Sequence, residues 1–291
     1  MPDRHKVGLA VLLMIGATLC FAALDATSKY LSRTYPIPMM VWGRYTFHCL
    51  MMLIVLAPSM RFQLIATTRP RAQILRALML TGTTGFSMAG FSLMPLAEST
   101  AFLFVTPLIV VILSHWLLKE SITRGHWIAV IAGFGGALMI ARPGGALNTE
   151  GIVWMTLAAA CYAVYQIQTR QLSPTENTLT MLFYTALVGT VSMTLAAPLY
   201  WGGPAPSWID AALIASLGIY GGTGHLMLTR AFRYAAASFL SPFLYGQLIW
   251  AGLLGWVFYE HLPDLLSIVG MVVIAGSSLS IAIGERLRRR P

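Results

Sequence analysis

The residues of this chain most suited to chemistry are charges set inside long apolar runs. Asp25 and Lys29 stand four positions apart, as do Arg44 and His48, so each pair shares one face of a helix. Asp25 precedes the turn near Thr34 by about as many residues as Arg44 follows it. At ~1.5 Å of rise per residue the two reach nearly equal depth, and they are expected to be neighbours, with Lys29 beside them. Such a group has two possible uses. It can be a structural ion pair that locks two helices. Or Arg44 or Lys29 attracts a substrate carboxylate while Asp25 answers its arrival or a proton.

A second set surrounds expected helix interruptions. Pro107 should kink the fourth apolar run, and Pro242 with Gly246 the ninth. Phe102, Phe243, Tyr245, Gln247 and Trp250 fall near these points, and Ser87, Met88 and Phe91 of the third run and Tyr162 and Tyr165 of the sixth are added to them. Aromatic and Met side chains there would form an adaptable apolar pocket, although each one serves equally well as core or lipid-facing packing. Gln166 is the second-half counterpart of Asp25, and Arg170 that of Lys29. Gln166 and Gln168 either line an inner vestibule or hydrogen-bond between helices.

Other chemistry lacks its signature. HExxH, GxSxG and a nucleotide-binding GK[ST] are missing, which argues against an intramembrane enzyme or an ATP-driven pump. The glycine stretch Gly221–Gly224 before His225 is a weakened piece of the eighth run rather than a phosphate loop. The histidines and Cys20, Cys49 and Cys161 show no metal-ligand spacing. No metal and no cofactor is expected.

The elements that must position these groups are membrane helices. Of 291 residues, 57% are hydrophobic and only 10% charged, against about 25% charged in soluble domains. The apolar sequence divides into ten runs, roughly 7–31, 37–58, 72–94, 96–118, 125–141, 150–171, 178–200, 208–230, 238–258 and 264–284, each near the ~20 residues that cross a bilayer. Short connections rich in Pro and Gly join them. The first run is long enough to remain as a span rather than a cleaved signal.

Lys and Arg fall overwhelmingly on one side. Arg4, Lys6, Arg61, Arg69, Arg71, Arg76, Lys119, Arg124, Arg170, Arg230, Arg233 and the Arg286–Arg290 tail lie there, against Arg33 and Arg142 opposite. Both termini are therefore expected in the cytoplasm. The net charge of +9 reflects topology and lipid-headgroup contact, not nucleic-acid binding.

The halves resemble each other at a nearly constant spacing. Ala97 matches Ala237, Glu120 matches Glu260, Gly82 matches Gly222 and Gly136 matches Gly276. Five spans per half place the second half upside down. Inverted repeats are a signature of secondary transporters, whose halves exchange conformations around a midplane site. The expected fold is an all-α membrane protein with ten transmembrane helices, as two inverted five-helix repeats (1–145 and 146–291) around a central cavity. Small-residue stripes at Gly133/Ala137 and Gly276/Ser280/Gly284 allow packing within the chain or a dimer contact, so monomer and homodimer both remain open.

The stretch Leu96-Ala97-Glu98-Ser99-Thr100-Ala101-Phe102 through Pro107 to Lys119-Glu120 resembles the fourth-span pattern of the EamA type of the drug/metabolite transporter superfamily. The ninth run departs from it, with Gln247 at the position of Pro107. The resemblance covers nearly the whole chain. It implies a multi-pass protein of the bacterial cytoplasmic membrane with its fifth and tenth spans peripheral. It also implies a non-enzymatic secondary exporter or facilitator of small metabolites. Amino acids, including aromatic and hydrophobic ones, are the first expectation; drugs, nucleobases and sugars are the alternatives. A non-transporting membrane protein would need neither the repeats nor the buried charges.

Overall fold

The computed structural model describes residues 4–118, 124–141, 147–172, 174–200, 202, 204–234 and 243–288. Lys119, Glu120, Arg142, Trp201, Pro242 and the 145/146 boundary lie outside them. The described part is helical: α1 Arg4–Leu31, α2 Ile37–Met60, α3 Pro70–Leu93, α4 Leu96–Leu103, α5 Thr106–Leu118, α6 Arg124–Ala141, α7 Thr149–Leu172, α8 Thr178–Tyr200, α9 Trp208–Tyr234, α10 Gly246–Tyr259 and α11 Leu265–Arg288.

Local sequence explains where several helices begin. Pro70 opens α3 in its first turn, where a missing N–H costs nothing. Side chains of Asn148, Asn177, Ser207 and Asp264 accept backbone N–H groups at the starts of α7, α8, α9 and α11. Pro107 sits in the first turn of α5, so the fourth run is broken at Phe104–Val105, just before the proline.

Among the described residues, five segments are long and apolar enough to cross a membrane: Val7–Leu31, Ile37–Met60, Leu96–Leu117, Thr178–Leu199 and Trp208–Leu228. Shorter apolar helices cover Trp127–Ala141, Gly246–Tyr259 and Leu265–Ser277. Helices α3 and α7 are more polar, and they pack along each other, with α8 against α3. Arg76, Thr81, Thr84 and Ser87 of α3 are buried within that packing, which is how a membrane helix tolerates them. The outer surface is apolar by contrast. Ile54, Leu195, Ile209 and Val272 are all well exposed, as lipid contact requires and water would not favour.

Helix α1 packs against α9 and α10, α2 against α8 and α9, α4 against α10, and α6 against α11. Three close approaches depend on glycine. A Cβ on Gly136 would stand 2.7 Å from Gly270 O, and one on Gly270 would stand 2.6 Å from Gly136 O, so α6 and α11 touch backbone to backbone. Gly133 faces Leu108, and Gly276 has open space around it. The expected stripes are therefore not the ones that join α6 to α11. A Cβ on Gly218 would stand 2.6 Å from His48 N and 2.7 Å from Arg44 O, which sets α9 directly on α2. The Gly221–Gly224 stretch is thus no weak point. Helix α9 is continuous through it, and its glycines admit neighbouring helices.

Candidate functional site

Arg44 and His48 occupy the face of α2 turned toward α9. Arg44 is half-buried. Its Nη1 donates to Thr84 Oγ1 of α3 at 3.0 Å, and its guanidinium lies 5.5 Å from the centre of the Tyr45 ring. Tyr45 is fixed in turn, because its hydroxyl lies 2.8 Å from Thr84 Oγ1 and donates to Leu80 O at 3.0 Å. Gly221 of α9 lies against the guanidinium, where a Cβ would be in ordinary contact with Arg44 Nε at 3.5 Å. Among the described residues, no carboxylate pairs with Arg44.

Asp25 is buried, and its Oδ2 accepts a hydrogen bond from Gln247 Nε2 at 2.9 Å. The expected contact with Arg44 does not form. Equal depth along the helices does not by itself make neighbours, because α9 packs on both α1 and α2. Asp25 turns instead to α10, and the bond ties the first half of the chain to the second. Arg44 still lies within electrostatic reach of Asp25, His48, Tyr162 and His225. Tyr162 and His225 sit deep in the bundle yet keep accessible surface, as residues lining an internal space do.

Several other expected residues pack or hydrogen-bond within the bundle. Lys29 Nζ donates to Phe91 O at 2.7 Å and Met94 O at 2.6 Å, which caps the C-terminal end of α3 with a cation. Met88, Phe91 and Phe102 are buried in hydrophobic clusters. Phe243 packs with Ala10, Met14 and Ala231. Ser87 Oγ returns to Thr84 O at 3.1 Å. Gln166 and Trp250 are half-buried on α7 and α10. Tyr162 stacks on Tyr165 at 5.6 Å. The structure therefore brings Asp25, Arg44, His48, Tyr162 and Gln247 into one electrostatic neighbourhood and leaves Lys29, Met88, Phe91 and Phe102 outside it.

Arg76 corrects the charge count. Placed with the loop cations by sequence, it lies two turns inside α3 and is 1% exposed. Its Nε donates to Thr169 Oγ1 at 2.7 Å, Nη1 to Met181 O at 2.9 Å and Thr185 Oγ1 at 3.1 Å, and Nη2 to Tyr165 OH at 2.9 Å. The Tyr165 ring lies 4.6 Å away. All these partners are neutral. Pro70, as the mark of a helix start, is the sequence signal that could have placed Arg76 inside α3. Like Arg44, Arg76 forms no ion pair with a carboxylate among the described residues.

A separate cavity of about 550 Å³ lies among α2, α3, α7 and α8, lined by Val41, Leu78, Phe86, Trp154 and Met193 among others. It is apolar and contains none of these charged groups, so the chemistry is assigned to the Arg44 neighbourhood and not to this cleft.

Known proteins agree with this architecture. A protein of known crystal structure superposes with a TM-score of 0.65 at 18% identity, covering 96% of this chain and 98% of that one. The S-adenosylmethionine uptake transporter of Rickettsia bellii is 28% identical over 97% of this chain and 95% of its own length. The pseudopaline exporter of Pseudomonas aeruginosa is 27% identical over 96% and 97%. The riboflavin transporter of Rhizobium johnstonii is 25% identical over 99% and 95%. The model of the EamA-like transporter family matches twice, at residues 8–142 and 149–283. With that double match across almost the whole chain, and with helices apolar enough to cross a bilayer, this multi-pass membrane protein belongs to the EamA-like transporter family.

Proposed function

We propose that the chain is a secondary exporter or facilitator of small carboxylate-bearing metabolites, amino acids first among them. It would work in the bacterial cytoplasmic membrane by alternating access. The observation that carries this reading is Arg44, a half-buried guanidinium in the bundle interior, held by neutral partners and, among the described residues, in no ion pair with a carboxylate. A site with such a vacancy favours an anionic group. Asp25, held by Gln247 within electrostatic reach, suits the ammonium group of a zwitterion. Tyr162 and Trp250 would flank the substrate side chain.

The halves 1–145 and 146–291 act here as inverted repeats. The twofold family match supports that, and so does the packing. Exchanging the halves turns α1 on α9 into α7 on α3, α2 on α9 into α8 on α3, and α1 on α10 into α7 on α4 and α5. The bias of Lys and Arg supports both termini in the cytoplasm. The named relatives include both an uptake transporter and an exporter, which fits a reversible carrier whose direction follows its gradients.

The test is radiolabelled flux in proteoliposomes with amino acids, S-adenosylmethionine, riboflavin, a sugar and a nucleobase. Saturable amino-acid flux, lost in Arg44→Ala, is expected. Flux of the sugar or nucleobase alone would overturn the substrate class.

A further inference from the structure

Glu98 stands in the first turn of α4, and the substrate pathway above makes no use of it. It is 3% exposed. Its Oε1 lies 3.0 Å from His261 Nε2, while Oε2 is buried with no hydrogen-bond partner. An ionised carboxylate with one oxygen buried and unserved is costly, and a proton on that carboxyl removes the cost. The His261 side chain is 41% exposed against 4% for Glu98. The imidazole therefore touches the buried acid on one side and water on the other.

The surroundings at this end of the bundle are few. From α1, Lys29 acts on Glu98 electrostatically while it caps α3. Lys29 and, beyond α1, Arg33 lie over the Tyr259 ring at 5.5 and 5.3 Å. The Tyr259 hydroxyl donates to Ala26 O at 2.6 Å. On α7, Glu150 accepts from Trp154 Nε1 at 3.1 Å. Before α11, Asp264 accepts from Ser267 N at 2.8 Å. The end of α3 presents carbonyls and no charge to α4. None of these carboxylates or cations forms an ion pair with Glu98, and His261 is its partner.

We propose that Glu98 and His261 form a proton-coupling site, in which Glu98 takes up one proton per cycle from the outer solution through the imidazole. This rests on the transport reading and on the orientation given with it. His261 Nδ1 accepts a proton from water, and the proton on Nε2 passes to Glu98. The ring returns to neutral as the other tautomer, and Glu98 becomes a neutral acid. One proton enters the ring and one leaves it. A neutral Glu98 holds Lys29 and His261 less strongly, and α4 is then free to part from α10 and the connection that follows it. Return of the protonated carrier to the inward-facing state would release the proton inside, so substrate moves out as the proton moves in.

Proteoliposomes loaded with a pH-sensitive dye test this, with radiolabelled methionine as probe. Counterflow at equal pH is measured first. Accumulation is measured next, with the interior one pH unit more acid than the bath. One proton exchanged per substrate allows up to about tenfold accumulation for one unit. The wild type should approach that value, with alkalinisation of the interior. Glu98→Gln should keep counterflow but accumulate nothing, and His261→Gln should approach the same steady state more slowly. Should Glu98→Gln lack counterflow as well, Glu98→Asp, which keeps the acid, must restore both activities. Accumulation by Glu98→Gln overturns the proposal, as does a wild type that shows counterflow but no accumulation under the pH gradient. Those results leave the transport reading standing, whereas absence of wild-type counterflow with every substrate of the flux panel removes both.

Discussion

Gly218→Ala should separate α2 from α9 at a place where their contact is backbone to backbone beside Arg44 and His48. The new Cβ would stand 2.6 Å from His48 N, 2.7 Å from Arg44 O and 2.7 Å from Phe47 Cβ. Two of these atoms are backbone, so no side-chain rotation relieves the clash. The helices must part by somewhat under 1 Å to restore ordinary contact. Overpacking of this kind costs about 1–3 kcal/mol, and the better helix propensity of Ala returns about 1 kcal/mol. At roughly 2–4 °C per kcal/mol for a large domain, the melting temperature in detergent should fall by several degrees. The displaced atoms belong to Arg44 and His48 themselves, and a misplacement near 1 Å can cost about 100-fold in a positioned site. Transport should therefore fall more steeply than stability. Gly276→Ala is the control, since nothing lies within 4 Å of its Cβ, and it should melt with the wild type. Should Gly218→Ala match both the wild type and Gly276→Ala in melting and in flux, the backbone-to-backbone approach is not what Gly218 provides.

Other substitutions probe the supporting structure. Tyr165→Phe removes one of the bonds that hold the Arg76 guanidinium and should cost about 1.5–3 kcal/mol, read as lower thermal stability. Glu176, in the connection between α7 and α8, would have its carboxyl raised by burial, but donors on Thr67, Thr68 and Gln73 outweigh that and hold it below its ordinary value of 4.5. Its contribution to stability is therefore present above pH 4.5 and lost as pH falls through the lowered value. The melting difference between wild type and Glu176→Gln should stay constant near neutral pH and shrink below that point. Glu260, at the end of α10, holds a left-handed φ of 53°. Glu260→Gly should leave stability unchanged or raise it by about 1 kcal/mol.

Composition and hydrophobic runs made the helical membrane architecture legible, because a bilayer-length span needs a long stretch of apolar residues whatever surrounds it. Single polar residues carried less. The helical rise set an expected depth for Asp25 and Arg44, yet which helix comes between two others depends on packing across the halves, and α9 packs on both α1 and α2. Lys29 was legible as a buried cation but not as the cap of α3, because the carbonyls of Phe91 and Met94 leave no mark in residue type. Arg76 was misassigned because a cation two turns from a helix start looks like a loop charge until its neutral partners on α7 and α8 are in place. The role of Gly218 depends on the backbone of α2 and so had no signal in its own helix.

The most direct measurement compares counterflow of a labelled amino acid with that of its carboxamide analogue, in the wild type and in Arg44→Ala. The wild type should carry the acid and discriminate strongly against the amide, and Arg44→Ala should lose the acid and with it the discrimination. Equal transport of acid and amide by the wild type, or undiminished transport of the acid by a folded Arg44→Ala, would contradict the assignment of Arg44 to a substrate carboxylate.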